Sequence, residues 1–418
     1  MEERASGGLI PAQPTAPLTK TFRKTIFWLH LAAGLIAGLV IGMMSLTGAA
    51  LAYEKELIAW SERDAQRVSS APGVQPLAIE ELLARVRAAK PEAQPANIVI
   101  KDDAEAAVAV GLGRAGTVYV DPYHGDVRTP EPTALRSFMA TMVSWHRYIA
   151  LSGDNRGLGK AITGACNAAF LVLGITGLYL WWPRSWSTRV LKSIATMRFN
   201  LSGKARDFNW HNALGLWFAL PIIVITTTAL PISYTWAGTL IAQLNPPGAA
   251  PGGGPGAAAP AVKLATPAPG TTRLGYDASL ASVRTQVPDW KQITINLGGP
   301  PTGPGPGGPA ATPVAANAAQ PVIFTIRESG SWPRTANTTL VVDPYTGTTL
   351  RRDEFSAMPL GNQVRGWTRF LHTGEALGPV GQGVAGIACL AGVILMWTGF
   401  ALSWRRFFGR TRSAPSQT

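Results

Sequence analysis

Charge is scarce in this chain. Of 418 residues only 15% are Asp, Glu, Lys or Arg, against 46% hydrophobic. That balance excludes an ordinary soluble globular protein and points to a membrane protein with soluble parts. Cysteine is nearly absent: Cys166 and Cys389 are the only two, and each lies within a hydrophobic run. The soluble segments therefore have no disulfide framework, and the chain has no cysteine-based metal site or iron–sulfur motif, so both cysteines read as small packing residues. A usable dinucleotide fingerprint is also missing. "GLGRAG" at 111–116 fits G-x-G-x-x-G, but a strand-like "TVYVDP" follows where a helix would have to receive the pyrophosphate, so the segment reads as a hairpin turn.

What the chain does have is long apolar runs, at roughly 26–53, 161–182, 212–241 and 380–404, each long enough to span a bilayer. The first has about twice the apolar core of a secretory signal and is copied later in the chain, so it reads as a membrane span. The net charge of +13 is distributed accordingly. Segments 1–25, 183–210 and 405–418 hold 14 of the 37 basic residues and three of the 24 acids. This positive-inside pattern, rather than nucleic-acid binding, explains the basicity, and it predicts cytoplasmic termini and a cytoplasmic 183–210 loop. Residues 54–160 and 242–379 are then external, which in a bacterial inner membrane means periplasmic.

The chain is written twice. An offset of 181 superposes His30 on His211, Gly34 on Gly215, Thr47 on Thr228 and Tyr53 on Tyr234. An offset of 222 superposes "TVYVDPYHGDV" on "TLVVDPYTGTT" and Thr176-Gly177 on Thr398-Gly399. The pattern predicts a tandem duplication of helix, external α+β domain, helix. Gly and Pro crowd into 245–271 and 298–321, which reads as loops or linkers unable to form a core.

Five histidines remain to be placed. The predicted topology puts His30 and His211 near the cytoplasmic side, and His146 and His372 near the periplasmic side just before the second and fourth spans. Repeats related by an axis along the membrane normal would let His30 and His211 face each other across a flat ligand, which suits a haem. Two axial imidazoles leave iron no open site and favour electron transfer. The second pair is less regular: at offset 222 His146 falls on Thr368, four residues from His372, a difference of about one helical turn. Two alternatives stay open, four interfacial histidines without a ligand and a two-histidine site for a bare ion. The latter is weakened because no acidic residue lies within any span. His124, in "DPYHGD", has Thr346 in the other copy and reads as a surface residue.

"WHRYIAL", "GLYLWWPR", "WHNALGLW", "FLHTGEALG" and the two "VDPY-G" motifs together resemble the PepSY-associated transmembrane family, which includes bacterial iron-regulated membrane proteins and ferric-siderophore reductases of the ferrioxamine B reductase type. The resemblance covers nearly the whole chain. It implies an α-helical membrane protein with four transmembrane helices and two α+β PepSY-type periplasmic domains. The expected order is a cytoplasmic segment 1–25, span 26–53, first periplasmic domain 54–145, histidine segment and span 146–182, and cytoplasmic loop 183–210. Span 211–241, second periplasmic domain 242–362, histidine segment and span 363–404, and tail 405–418 complete it.

The resemblance also implies two b-type haems, with His30, His211, His146 and His372 as axial ligands, and reduction of iron chelates on the periplasmic side. No residue is assigned a catalytic role of its own. The chain departs from the family in its Gly/Pro-rich loops and in its third span, where "TTALP" replaces the "TG" of the other three. The resulting reading is an electron conduit from a cytoplasmic donor, such as a flavin reductase, to a periplasmic ferric siderophore or other ferric chelate. The alternatives are a haem protein that feeds a partner enzyme and a PepSY binding or regulatory protein without redox chemistry.

Overall fold

The computed structural model describes residues 17–69, 73–131, 134–183, 187–248, 262, 264, 267, 270–297 and 320–409. Most of the two Gly/Pro-rich stretches, and the outer parts of both terminal segments, lie outside these residues. The helices are α1 (Pro17–Leu51), α2 (Glu54–Ser61), α3 (Arg63–Gln66), α4 (Ile79–Ala89), α5 (Ala134–Tyr148), α6 (Arg156–Trp181), α7 (Thr188–Ala195), α8 (Gly203–Ser233), α9 (Thr235–Ala242), α10 (Tyr276–Gln286), α11 (Leu360–Thr373) and α12 (Gly378–Phe408). The strands are β1 (Asn97–Lys101), β2 (Val108–Gly111), β3 (Thr117–Val120), β4 (Val127–Arg128), β5 (Trp290–Asn296), β6 (Val322–Glu328), β7 (Thr338–Val342) and β8 (Thr349–Asp353).

Among the described residues four helices, α1, α6, α8 and α12, are long and apolar enough to cross a membrane. Two of them begin well before their apolar runs. Helix α1 opens at Pro17 and α8 at Gly203, so His30 and His211 lie inside their helices rather than at the ends where hydropathy puts them. The polar turns ahead of each run are helical too, because hydropathy reports lipid exposure and not backbone conformation. The third run also divides: Tyr234 takes an extended backbone between α8 and α9, a one-residue break that an unbroken apolar sequence conceals. Tyr53 occupies the matching place between α1 and α2.

The chain forms two compact units. In the first, α1 up to Leu46 packs on α12 from Ala388. A Cβ at Gly38 would lie 3.0 Å from the Phe400 ring, and one at Gly42 would strike Met396. Small residues at four-residue spacing let the two helices approach closely, the usual way apolar helices associate in lipid. Gly174 serves α6 in the same way, since a Cβ there would meet Ile223 of α8 at 3.1 Å. Buried Asp207 on α8 accepts from Arg206 at 2.9 Å and from Arg405 of α12. Two guanidiniums compensate this carboxylate, which would otherwise be an unpaired buried charge.

The second unit contains an eight-stranded antiparallel sheet in the order β4-β3-β2-β1-β5-β6-β7-β8. Its strands come from two stretches of the chain, β1–β4 and β5–β8, which both contribute to it. Each supplies one helix and four strands, and β1 pairs with β5 at the centre in the register Ile98↔Ile295 and Ile100↔Ile293. Alternating apolar residues point to one face, where α4 and α10 cover them, so Leu83, Val86, Ile98, Val283, Ile295 and Phe324 are fully or almost fully buried in a single core. The two helices satisfy each other's first turns: Ile79 N donates to Asp277 Oδ2 at 2.9 Å, and Tyr276 N donates to Glu80 Oε1. The "DPY-G" turns are alike. Asp121 Oδ1 accepts from Tyr123 N and Asp343 Oδ1 from Tyr345 N, each at 2.8 Å, and Gly125 and Gly347 carry the positive φ that each turn needs.

Candidate functional site

His30 and His211, on α1 and α8 in the first unit, lie with ring centroids 6.5 Å apart and planes 85° to one another. Each ring is held through Nδ1. His30 Nδ1 is 2.9 Å from Thr176 Oγ1 of α6, and His211 Nδ1 is 2.9 Å from Thr398 Oγ1 of α12. The threonine hydroxyls already donate to their own helices, Thr176 to Val172 O at 2.6 Å and Thr398 to Ile394 O at 2.8 Å. Each oxygen is therefore left to accept, Nδ1 carries the proton, and the lone pair of the neutral ring resides on Nε2. The glycine after each threonine makes room for the imidazole. A Cβ at Gly177 would lie 3.3 Å from His30 Cε1, and one at Gly399 3.6 Å from His211 Cε1.

His146 and His372 form a second pair, in the second unit, with centroids 6.2 Å apart and planes at 57°. They lie near the C-terminal ends of α5 and α11, short helices that precede α6 and α12. The four-residue irregularity is absorbed in the connections and not as an extra helical turn. After α5 the chain turns through Ile149, Ala150 and Gly153, all at positive φ, before α6 opens at Arg156; after α11 it turns at Gly374 and again at Gly378, where α12 opens. His146 Nδ1 is 3.1 Å from Thr47 Oγ1 of α1, and His372 Nδ1 donates to the carbonyl oxygen of Ile225 in α8 at 2.9 Å.

Rings in edge contact can have similar spacing, so the chemistry of the donors decides what the pairs can do. Two imidazoles binding one metal ion from opposite sides, through metal–nitrogen bonds of about 2.0 Å, place their ring centres roughly 6.3 Å apart. Both pairs match that spacing. A ligating histidine needs its other nitrogen held by a carbonyl, carboxylate or similar partner, and all four rings are held in this way. Among the described residues no group of three or more His, Cys, Asp or Glu converges on one point. Each pair thus offers two imidazole nitrogens and, among the described residues, no third His, Cys, Asp or Glu donor, a set that would fit a metal already held by a macrocycle better than a bare ion.

The other singled-out residues stand apart from these pairs. His124 is exposed and lies 3.4 Å from Asp121 in its turn. Cys166 and Cys389 are free thiols on α6 and α12. "GLGRAG" turns the chain from β2 into antiparallel β3, with no helix N-terminus that could take a pyrophosphate. Sequence reasoning used Thr47, Thr176 and Thr398 as landmarks of the repeat without seeing that they hold the histidines. The repeated Thr-Gly step, present in each of the spans that supplies a threonine, was the available signal. The Ile225 carbonyl had none.

Comparison of the chain with curated proteins gives no significant match. Residues 27–406 match the family model described as the PepSY-associated TM region, and the chain belongs to that family.

Proposed function

We propose that this membrane protein is a di-haem electron carrier of the bacterial inner membrane that reduces a ferric siderophore, or another ferric chelate, in the periplasm. The observation that supports it most is that all four paired histidines are bonded through Nδ1, an arrangement that presents Nε2 for axial ligation. A haem bound at each pair supplies a one-electron couple at its iron. His30 and His211 hold the group that takes an electron from a cytoplasmic donor such as a flavin reductase. His146 and His372 hold the group that gives it up outside. Outward movement of an electron is favoured by about 2.3 kcal/mol per 100 mV of inside-negative potential. The substrate's ferric ion gains that electron, and hard oxygen chelators hold the ferrous product less well.

In this reading the basic segments keep both termini in the cytoplasm. The two helix-and-four-strand segments are PepSY-type units that arose, with the spans, by tandem duplication. The test has two parts. Protein purified in detergent should contain two haems per chain with a bis-imidazole reduced-minus-oxidised spectrum. Right-side-out vesicles loaded with donor should then release ferrous iron from an external ferric siderophore to an impermeant trap. No stoichiometric haem removes the redox reading; haem without chelate reduction above that of haem-free variants transfers the role to a partner enzyme.

A further inference from the structure

The junction between α5 and α6 gathers positive charge that nothing among the described residues neutralises. Arg147 and Arg156 both stack on the ring of Tyr148, with guanidinium carbons 5.4 and 4.2 Å from its centroid. Neither forms an ion pair among the described residues. Arg147 has a local reason for its place, because the C-terminal end of α5 favours a cation. Arg156 does not. It is the first residue of α6, where the helix dipole is itself positive, and the first turn of α6 holds no acid. Asp154, just upstream, is exposed and pairs with neither arginine. The two helix ends are pressed together, since a Cβ on Gly159 would collide with the Tyr148 carbonyl.

A hydrogen-bond donor is stranded at the same place. Tyr148 is 5% exposed, and its hydroxyl has no partner among the described residues. Burying an unused donor is unfavourable, and an acceptor of negative charge would relieve both the orphan hydroxyl and the like-charged guanidiniums. The cluster adjoins the second histidine pair: Arg147 and Tyr148 directly follow His146.

The geometry points to an anion seat in which Arg147, Tyr148 and Arg156 receive a carboxylate of the group held between His146 and His372. This rests on the haem reading above, under which the carboxylate is a haem propionate. A lipid phosphate offers the same charge and is the competing source.

The test uses haem-free full-length protein in detergent with His30→Ala/His211→Ala, so that only the second pair can bind. Protohaem and its dimethyl ester, which lacks both carboxylates, are titrated and followed by the bound Soret band. The ester should bind at least tenfold more weakly. Arg147→Gln/Arg156→Gln should take up both forms equally, Tyr148→Phe should reduce the preference about threefold, and Arg147→Lys/Arg156→Lys, which keeps the charge, should retain most of it. In the His146→Ala/His372→Ala background the glutamine variants should change nothing. Equal binding of acid and ester to the unaltered seat overturns the inference while leaving the haem reading intact. Loss of the preference in saturating phosphatidylglycerol assigns the seat to lipid and overturns it too. Uptake of neither form, with folding verified by circular dichroism, overturns the haem reading at this pair.

Discussion

His372 Nδ1 lies 2.9 Å from the backbone carbonyl oxygen of Ile225. A carbonyl can only accept, so this one contact fixes the tautomer of the imidazole without any side-chain partner. It also explains how the third span dispenses with Thr-Gly. Thr228, which aligns with Thr47, turns its hydroxyl back to Val224 O at 2.7 Å and Ile225 O at 3.0 Å.

The two threonines should therefore behave differently. Thr47→Val removes the Nδ1 partner of His146 and should weaken haem binding at the second pair about tenfold or more, the usual scale for losing a partner behind a ligand. Thr228→Val removes only a bond to its own helix and should change that affinity less than about threefold. Haem titration of the two variants checks this, and equal losses would show that the hydroxyls matter through helix packing rather than through the imidazole.

The glycine beside each threonine gives a graded prediction. Alanine at 177 would set a methyl 3.3 Å from His30 Cε1, tighter than an ordinary contact, whereas alanine at 399 would set one 3.6 Å from His211 Cε1, which is ordinary. Gly177→Ala should displace the ring, lengthen its bond to Thr176 and lower haem retention at the first pair several-fold. Gly399→Ala should retain nearly all of it. Soret absorbance per protein after size exclusion separates the two.

How far the sequence disclosed this arrangement depends on what each feature encodes. The four spans were legible because lipid demands apolar runs, and the histidine partners because the repeat aligns His30 with His211. The start of α8 and the break at Tyr234 were not legible, since hydropathy carries no backbone angle. Nor was the pairing of β1 with β5. Both strands read as ordinary apolar strands, and nothing in either specifies that its free edge meets the other. The approach of His146 to His372 despite the four-residue offset goes with positive φ at Ile149, Ala150 and Gly153 in one connection and at Gly374 and Gly378 in the other, and at Ile149 and Ala150 the residue type gives no sign of it.

If His30 and His211 hold one iron, their substitutions cannot be additive. His30→Ala and His211→Ala should each remove about half of the total haem, and the double variant should remove no more than either alone, as expected for residues acting as a unit. His146→Ala or His372→Ala should remove the other half while the first haem remains reducible by a cytoplasmic donor. Loss of different spectral components from His30→Ala and His211→Ala would mean that the two rings do not share a ligand.

The last prediction concerns the seam of the sheet. Ile98 and Ile295 are register partners on β1 and β5, both fully buried, and their pairing joins strands β1–β4 to strands β5–β8. Ile295→Ala creates a cavity in the shared core and should cost about 2–5 kcal/mol. Because the core is continuous across the seam, the damage should not stop at β5. Hydrogen exchange on the intact protein in detergent should quicken in β1–β4 as well as in β5–β8. Ile98→Ala should produce the same pattern, and the double variant should fall short of the sum of the two because both open the same cavity. Exchange confined to the segment that carries the substitution would show two independently stable halves that merely touch at β1 and β5.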